Sequence, residues 1–391
     1  MTNGPVHAES SCGWRELHAL VLPPGPELFR AVGAALDGGP AVLPLSPALP
    51  AAALRATLDA LRPTHVNGVR REHGVGVPGE VAVVIATSGT TGAPKGVQLS
   101  AAALRASASA SLRRLGARPG ERWLCCLPPS HVSGLQVLVR SLVGGTEPIV
   151  HEGFSPEAVL SSGARHVSLV PTQLRRLLDA DLSVFDTILL GGAAPPPGLV
   201  EEARAAGARV VLSYGMSETC GGCVYDGAPL YNVDLKIGDD GRIRVAGPVL
   251  FSGYRLRPEL TASALDGDWF VTSDLGVMDG GGLRVLGRCD DVINTGGEKV
   301  VAAVAAAAVA EHPAIADAVV VGRPDPEWGE RVVAVVVSPD PPSLAELRAF
   351  VKERLPACAA PAELVVMSEI PLLPNGKPNL AALRYGRDRE P

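Results

Sequence analysis

Val81-Ala82-Val83-Val84-Ile85-Ala86-Thr87-Ser88-Gly89-Thr90-Thr91-Gly92-Ala93-Pro94-Lys95-Gly96-Val97 runs from unbroken apolar residues straight into hydroxyls, glycines and one lysine. A short apolar run rich in β-branched side chains predicts a strand covered on both faces, as in the middle of an α/β sheet. After it, Thr87, Ser88, Thr90 and Thr91 supply hydroxyls, and Gly89, Gly92 and Gly96 let backbone N–H groups approach an anion closely. Lys95 adds a mobile cation at the far end. Such a loop suits a polyphosphate. It is not the common nucleotide loop, in which G-x-x-x-x-G-K-[ST] opens directly into a helix. Pro94 precedes the lysine, Gly96 follows it, and no hydroxyl stands beside Lys95 to hold magnesium. Val97-Gln98-Leu99 reads as a second short strand, and Ser100 as the N-cap of a helix through Ala101–Arg114.

Composition sets the outer bounds. At 391 residues the chain is too long for one ordinary domain and long enough for two. It is 47% hydrophobic and 19% charged, so it can bury a sizeable core. A net charge of −6 with interspersed signs leaves no basic stripe for a nucleic acid. Met1–Ser10 has neither a basic start nor an apolar run, which argues against a secretory signal. The longest apolar stretch, Val300–Ala310, is shorter than the roughly 20 residues that span a bilayer. A soluble, cytoplasmic protein without membrane insertion is expected. Seven cysteines, an odd number without regular spacing, argue against a disulfide framework. Cys220 and Cys223 form a C-x-x-C, but zinc would need two further ligands at matching spacing and none stands in the sequence, so we read them as ordinary thiols.

Along the chain, Pro26–Leu36 and Ala51–Leu61 predict helices, with a short strand at Ala41–Leu45 between them. Strands follow at Trp123–Leu127, His166–Val170, Thr187–Leu190 and Arg209–Leu212, separated by helical patterns at Gly134–Val143, Thr172–Asp179 and Gly198–Ala206. That alternation predicts an open, largely parallel sheet with function at the loops after the strand C-termini. Beyond Tyr231, short strands at Asp234–Ile237, Gly241–Val245, Trp269–Ser273 and Leu283–Gly287 predict a small antiparallel β-subdomain. From about Asp290, strands at Ala318–Val321 and Val332–Val337 flank a helix at Leu344–Leu355, with a final loop at Pro371–Leu380. The expected fold is α/β. A large N-terminal domain, residues 1–289, holds mostly parallel sheets plus the β-subdomain, and a small mobile α+β C-terminal domain covers residues 290–391.

The second chemical stretch is Ser213-Tyr214-Gly215-Met216-Ser217-Glu218-Thr219, read as a ligand loop directly after the strand that ends at Leu212. Its aromatic ring offers a stacking face for a purine, and its carboxylate beside hydroxyls can hold Mg²⁺ against phosphate oxygens. Further stretches are Thr272-Ser273-Asp274, Gly287-Arg288-Cys289-Asp290-Asp291, Gly296-Gly297-Glu298-Lys299 and Pro374-Asn375-Gly376-Lys377-Pro378. Taken in this order, and starting from T-S-G-T-T-G-x-P-K-G at Thr87, they resemble the adenylate-forming superfamily of acyl-CoA synthetases, adenylation domains and luciferases. The resemblance extends from Val81 to Lys377.

The resemblance implies ATP, Mg²⁺ and coenzyme A as reactants and cofactor, and a role for each matched residue. Thr87, Ser88, Gly89, Thr90, Thr91, Gly92 and Lys95 would cradle the phosphates, and Tyr214, with Gly192, Gly215 and Thr219, would take the adenine side. Glu218 would serve the metal, Asp274 the ribose hydroxyls, and Arg288 the ribose or phosphate. Asp290 falls at the interdomain hinge, and Gly296, Gly297 and Lys299 face the CoA tunnel. Lys377 would be the catalytic lysine, joined by Lys95, Glu218 and His131. Adenylation brings a carboxylate to an α-phosphate, so negative charge builds up on both reactants and on the five-coordinate transition state. A lysine delivered by a mobile domain neutralises it only when the site closes. Three features depart from the pattern: Ser273 stands for the glycine of T-G-D, Ala302, Val304 and Ala306 for Pro, Glu and Glu, and, against the family pattern, a shortened N-terminal subdomain is expected.

The acyl pocket is expected between His131–Leu135, Ser168–Gln173 and Gly191–Ala194, with Ser133, Thr172, Gln173 and Ala193 toward the substrate and His131 as a gate. No aspartate stands in this region to pair an α-ammonium, which points to an acid without an α-amine. His-Val-Ser-Gly-Leu, Ser-Leu-Val-Pro-Thr-Gln-Leu and above all Tyr214–Leu230 look like the actinobacterial o-succinylbenzoate–CoA ligases of menaquinone biosynthesis. Three readings stay open: an acid–CoA ligase, an adenylating enzyme that loads a carrier protein, and a silent nucleotide-binding protein. A homodimer is also left open.

Overall fold

The computed structural model describes residues 13–87, 94–372 and 378–385. Ser88, Gly89, Thr90, Thr91, Gly92 and Lys377 lie outside the described residues.

The first sheet is built around the opening stretch. Its strands β1 (Leu17–Val21), β2 (Ala41–Leu45), β3 (His65–Val66), β4 (Val69–Arg70), β5 (Val81–Thr87) and β6 (Lys95–Ser100) line up in the order β6-β5-β2-β1-β3-β4. Val81 to Ile85 are fully buried, as a strand covered on both faces requires. β5 and β6 pair antiparallel from Val81↔Ser100 to Thr87↔Lys95, so the glycine- and hydroxyl-rich stretch connects the two arms of a hairpin. Between β1 and β2 runs α1 (Pro26–Leu36), with proline in its first turn and Leu28, Val32, Ala35 and Leu36 on its buried stripe. Helix α2 (Ala51–Leu61) ends on Arg62 in the left-handed conformation. Helix α3 (Ala101–Leu115) starts where expected. The Ser100 hydroxyl accepts the Ala103 N–H at 3.0 Å, and Gly116, at φ +71°, ends the helix.

The second sheet alternates with helices. β7 (Trp123–Cys125), α4 (Val132–Val143), β8 (Ile149–Val150), β9 (His166–Leu169), α5 (Pro171–Arg175), β10 (Thr187–Leu190), α6 (Leu199–Ala205) and β11 (Val210–Met216) give parallel pairings such as Val167↔Ile188 and Leu189↔Val211. The main core joins the two sheets. Val83, Ile85 and Val97 of the first sheet share one cluster with Leu104 of α3, Leu135 and Leu138 of α4, and Trp123 of the second.

Two expectations about these elements need correction. The helix expected over Thr172–Asp179 is the single turn Pro171–Arg175. The strand expected to end at Leu212 continues to Met216 and folds back antiparallel onto β12 (Gly221–Tyr225), so Tyr214 and Gly215 lie in a hairpin, not in a free loop. Glycines permit the extension, because a Cβ on Gly215 would sit 2.0 Å from the Gly221 carbonyl oxygen.

The β-subdomain follows with β13 (Asp234–Ile237), β14 (Arg242–Ala246), β15 (Gly253–Tyr254), β16 (Trp269–Asp279) and β17 (Gly282–Arg288). β15 leaves it to pair with β6 of the first sheet, Tyr254 opposite Val97. After the turn Cys289–Asp291 the chain builds a separate sheet from β18 (Val292–Thr295), β19 (Glu298–Val301), β20 (Asp317–Asp325), β21 (Gly329–Val337) and β22 (Glu363–Met367). One face packs on α7 (Ala302–Ala310) and α8 (Leu344–Lys352) through Ile293, Val309, Val332 and Leu347. The other carries Val333, Val335 and, from α9 (Leu380–Tyr385), Leu383. Ala302, Val304 and Ala306 all fall on α7. The architecture is the expected one: a large N-terminal α/β part with a small β-subdomain, then a smaller α+β part.

Candidate active site

Parallel strands bring the loops after their C-termini to one edge of the second sheet. His131 and Ser133 follow β7, Thr172 and Gln173 follow β9, Gly192 and Ala193 follow β10, and Tyr214 lies in the second half of β11. His131 is exposed at the N-cap position of α4, with Ser133 exposed in its first turn. Gln173 commits its side-chain oxygen to the Val170 N–H at 3.2 Å, a local cap that sequence reading did not anticipate. Thr172, Gly192 and Ala193 are exposed, and Gly192 takes φ +85° against Val170.

Two hydrogen-bonded chains organise the remaining residues. In the first, the Tyr214 hydroxyl donates to one Asp274 oxygen at 2.9 Å, and Arg288 donates to the other at 3.3 Å. Arg288 reaches on to Asp290 at 2.9 Å. Burial, reinforced by the Asp274 charge, pushes the Tyr214 phenol far above its ordinary range, so it remains a donor. Four residues singled out separately in sequence thus form one connected group. In the second chain, the Tyr254 hydroxyl donates to Glu218 at 2.8 Å, and Lys95 Nζ lies over the Tyr254 ring, 5.8 Å from its centroid. Burial, with the Glu218 charge beside it, likewise keeps Tyr254 protonated.

Sequence reading missed Tyr254. It belongs to no phosphate-like motif, and only the return of β15 to β6 sets it between Lys95 and Glu218. Arg255 was missed as well. Its buried guanidinium donates to the carbonyls of Leu61, Arg62, Val75 and Gly76, which ties β15 to the end of α2. The turn that carries Glu218 is held from behind. Thr219 is fully buried and donates to the Gly221 carbonyl at 2.7 Å, while Gln136 and Ser107 both donate to the Cys220 carbonyl, at 2.6 and 3.1 Å. The Thr219 hydroxyl is therefore engaged inside the turn. Cys220 and Cys223 are buried, and burial raises both thiols, Cys223 to about 12, so neither carries appreciable thiolate at neutral pH.

Gly296 and Gly297 turn the β18–β19 hairpin at φ +59° and +83°, with Lys299 exposed on β19. The Gly296 N–H donates to the Trp328 carbonyl at 2.9 Å, and the ring of Trp328 leaves no room for a Cβ there. This hairpin belongs to the C-terminal sheet, and no hydrogen bond among the described residues joins it to Tyr214 or Glu218.

The donor set fits magnesium ATP. Glu218 offers a hard oxygen donor oriented by Tyr254, Asp274 a carboxylate oriented by Tyr214 and Arg288, and Lys95 a nearby cation.

Comparison with known proteins agrees. Residues 69–255 match the model of the AMP-binding enzymes, and residues 306–377 that of the AMP-binding enzyme C-terminal domain. The chain is 46% identical over 324 residues to a probable 2-succinylbenzoate–CoA ligase of Mycobacterium tuberculosis, covering 78% of this chain and 84% of that one. It is similar to the o-succinylbenzoate CoA synthetase (MenE) of Bacillus subtilis solved in complex with the acyl-adenylate intermediate OSB-AMP, with a TM-score of 0.82 and 30% identity over 96% of this chain and 89% of that one. The same Bacillus enzyme in complex with ATP and magnesium gives a TM-score of 0.81 and 30% identity over 94% and 89%. By these matches the chain belongs to the AMP-binding, adenylate-forming enzyme family.

Proposed function

We propose that this chain is an ATP-dependent acid–CoA ligase that acts on 2-succinylbenzoate, in the cytoplasm and in the service of menaquinone biosynthesis. The observation that carries the substrate is the 46% identity across most of the chain to the mycobacterial 2-succinylbenzoate–CoA ligase. The chemistry rests on the two hydrogen-bonded chains around Asp274 and Glu218.

The reaction has two steps. A carboxylate oxygen of the substrate attacks the α-phosphorus of ATP, the bond from that phosphorus to the bridging oxygen breaks, and pyrophosphate leaves with the electron pair. The thiol sulfur of CoA then gives up its proton and attacks the acyl carbon, and AMP leaves as the acyl–oxygen bond breaks. Tyr214 and Asp274 position the nucleoside, and Arg288 holds Asp274 while reaching toward the ribose or α-phosphate. Lys95 draws the β- and γ-phosphates to the loop after β5. Glu218 would hold Mg²⁺, which supplies charge neutralisation of the phosphates when bound. Lys377 neutralises the charge that grows in the first step, and Asp290 begins a C-terminal domain, residues 290–391, that turns between the steps. Gly296, Gly297 and Lys299 then meet CoA.

The second carboxylate of the substrate is read by neutral donors near Ser133 and Thr172. The test is a comparison of kcat/KM for 2-succinylbenzoate with 4-oxo-4-phenylbutanoate, which lacks only the ring carboxylate. A site built around a polar group rejects such an analogue by up to about 10⁴-fold, because its own polar groups are left without partners. Ser133→Ala and Thr172→Ala should narrow the gap by weakening the diacid more than the analogue. Equal values for the diacid, the analogue and octanoate would contradict the substrate assignment.

A further inference from the structure

Three metal-capable side chains meet at the far side of the first sheet from Lys95. Glu16, just before β1, and His18, its second residue, stand two apart, so the extended chain puts them on one face, while Leu17 and Ala19 point into the core on the other. His65 of β3 is the direct register partner of His18 in a parallel pair, which places its side chain on that same face. His18 Nε2 lies 3.1 Å from a Glu16 carboxylate oxygen, and the two imidazole centroids are 4.4 Å apart. One ligand atom from each of the three residues falls within 4.8 Å of the others. The strand order β6-β5-β2-β1-β3 separates this cluster from the nucleotide residues on β6.

Hydrogen bonding behind the cluster engages one ring nitrogen of His65. The Thr64 hydroxyl donates its one proton to the Leu17 carbonyl at 2.9 Å and accepts the Leu17 N–H, also at 2.9 Å. Toward His65 Nδ1, 3.1 Å away, it can only accept. An Nδ1–H given to that oxygen leaves the lone pair of His65 on Nε2. This is the state of a metal-ligating imidazole whose other N–H is given to a protein oxygen.

We propose that Glu16, His18 and His65 form a binding site for a divalent transition metal of the Zn²⁺ class, with water in the fourth position. Imidazole and carboxylate are zinc donors, and tetrahedral bonds of about 2.0–2.1 Å set donors about 3.3 Å apart. The His18–Glu16 pair, at 3.1 Å, already has about that spacing, and a shift of the partly exposed His65 side chain that keeps its Nδ1 on Thr64 supplies Nε2 as the third ligand. Two imidazoles distinguish the site from the oxygen ligands that Mg²⁺ prefers. Arg70, the register partner of His65 on β4, is the nearby cation that opposes metal binding, and it is exposed. A bound ion would staple β1 to β3 across the edge of the N-terminal sheet.

The test uses the full chain stripped of metal and titrated with Zn²⁺ and, separately, Co²⁺. One ion should bind per chain at this cluster, and the thermal midpoint should rise with metal concentration, because the site exists only in the folded chain. The Co²⁺ spectrum should show nitrogen and oxygen ligation without thiolate charge-transfer bands. His18→Gln and His65→Gln should each weaken binding about tenfold or more and remove the thermal shift. Their metal-free midpoints should match the unmodified chain, and Glu218→Gln should leave the site intact. No binding, binding undiminished in both histidine variants, or thiolate bands in the unmodified chain would overturn the proposal. If the variants fail to fold, the Co²⁺ spectrum of the unmodified chain decides.

Discussion

The Tyr254 hydroxyl donates to Glu218 and its ring lies under Lys95, so one residue links the carboxylate proposed for the metal to the cation proposed for the phosphates. A hydrogen bond to a charged group contributes about 1.5–3 kcal/mol. Tyr254→Phe keeps the ring and removes the donor, and kcat/KM for magnesium ATP should therefore fall about 10-fold to 100-fold. The metal requirement should rise, with the thermal midpoint little changed; an unchanged magnesium titration would remove Tyr254 from the site. Lys377→Ala should nearly abolish acyl-adenylate formation, by about 10²–10³ in rate, and spare thioester formation from supplied acyl-adenylate. Equal losses in both half-reactions would count against a role confined to the first. The motif residues were legible in the sequence because each carries its chemistry at a fixed spacing. Tyr254 was not, since its role comes from a strand pairing about 160 residues after Lys95.

At the scale of elements, Arg255 decides how β15 sits. Its guanidinium is buried among four backbone carbonyls, and burial, with Arg62 nearby, brings its pKa down to about 10. Arg255→Ala strands those acceptors and should cost about 3–5 kcal/mol. It should also lower activity through the neighbouring Tyr254, and Arg255→Lys should recover only part of either, because an ammonium cannot reach four carbonyls in a plane. A midpoint unchanged in the alanine variant would contradict the clamp.

The start of β7 is pH-sensitive for a separate reason. Burial raises the Glu121 carboxyl, but the Arg118 backbone and side chain and His166 all donate to it and hold it down at about 2, against an ordinary 4.5. Its contribution is complete above about 4.5 and is lost as pH falls toward 2, where the folded state must at last take the proton. Burial holds His166 below its ordinary 6.5, so stability also declines below that value as the unfolded chain gains a proton more readily. Glu121→Gln should lower the thermal midpoint at pH 7, and its gap from the unmodified chain should shrink as pH drops below 4.5. A constant gap would refute the assignment. Periodicity located most of the longer helices and the central strands, but it gave no sign of β1, the short edge strands β3, β4 and β8, or β12, β15, β18, β19 and β22, which the pairing of the sheets extends. It missed the continuation of β11 to Met216 because Ser213–Met216 has no strand pattern of its own and is extended by its pairing to Gly221–Tyr225.

Across the whole molecule, the residues proposed to meet the nucleotide come from both α/β sheets and the β-subdomain, while Gly296, Gly297 and Lys299 belong to the C-terminal sheet. On the proposed mechanism the second part presents Lys377 in the first step and the glycine hairpin in the second. Asp290 lies in the connecting turn Cys289–Asp291 and is held by Arg288. Asp290→Pro fixes φ near −65° and should impede that rotation, so acyl-adenylate forms at a near-normal rate while CoA captures it slowly. Normal overall turnover would remove Asp290 from the hinge. The most direct measurement of the central claim is mass spectrometry on purified chain incubated with ATP, Mg²⁺, CoA and 2-succinylbenzoate. The account predicts AMP and 2-succinylbenzoyl-CoA in equal amounts, with acyl-adenylate accumulating when CoA is withheld. AMP release without a CoA thioester, or no AMP at all with this acid, would contradict it.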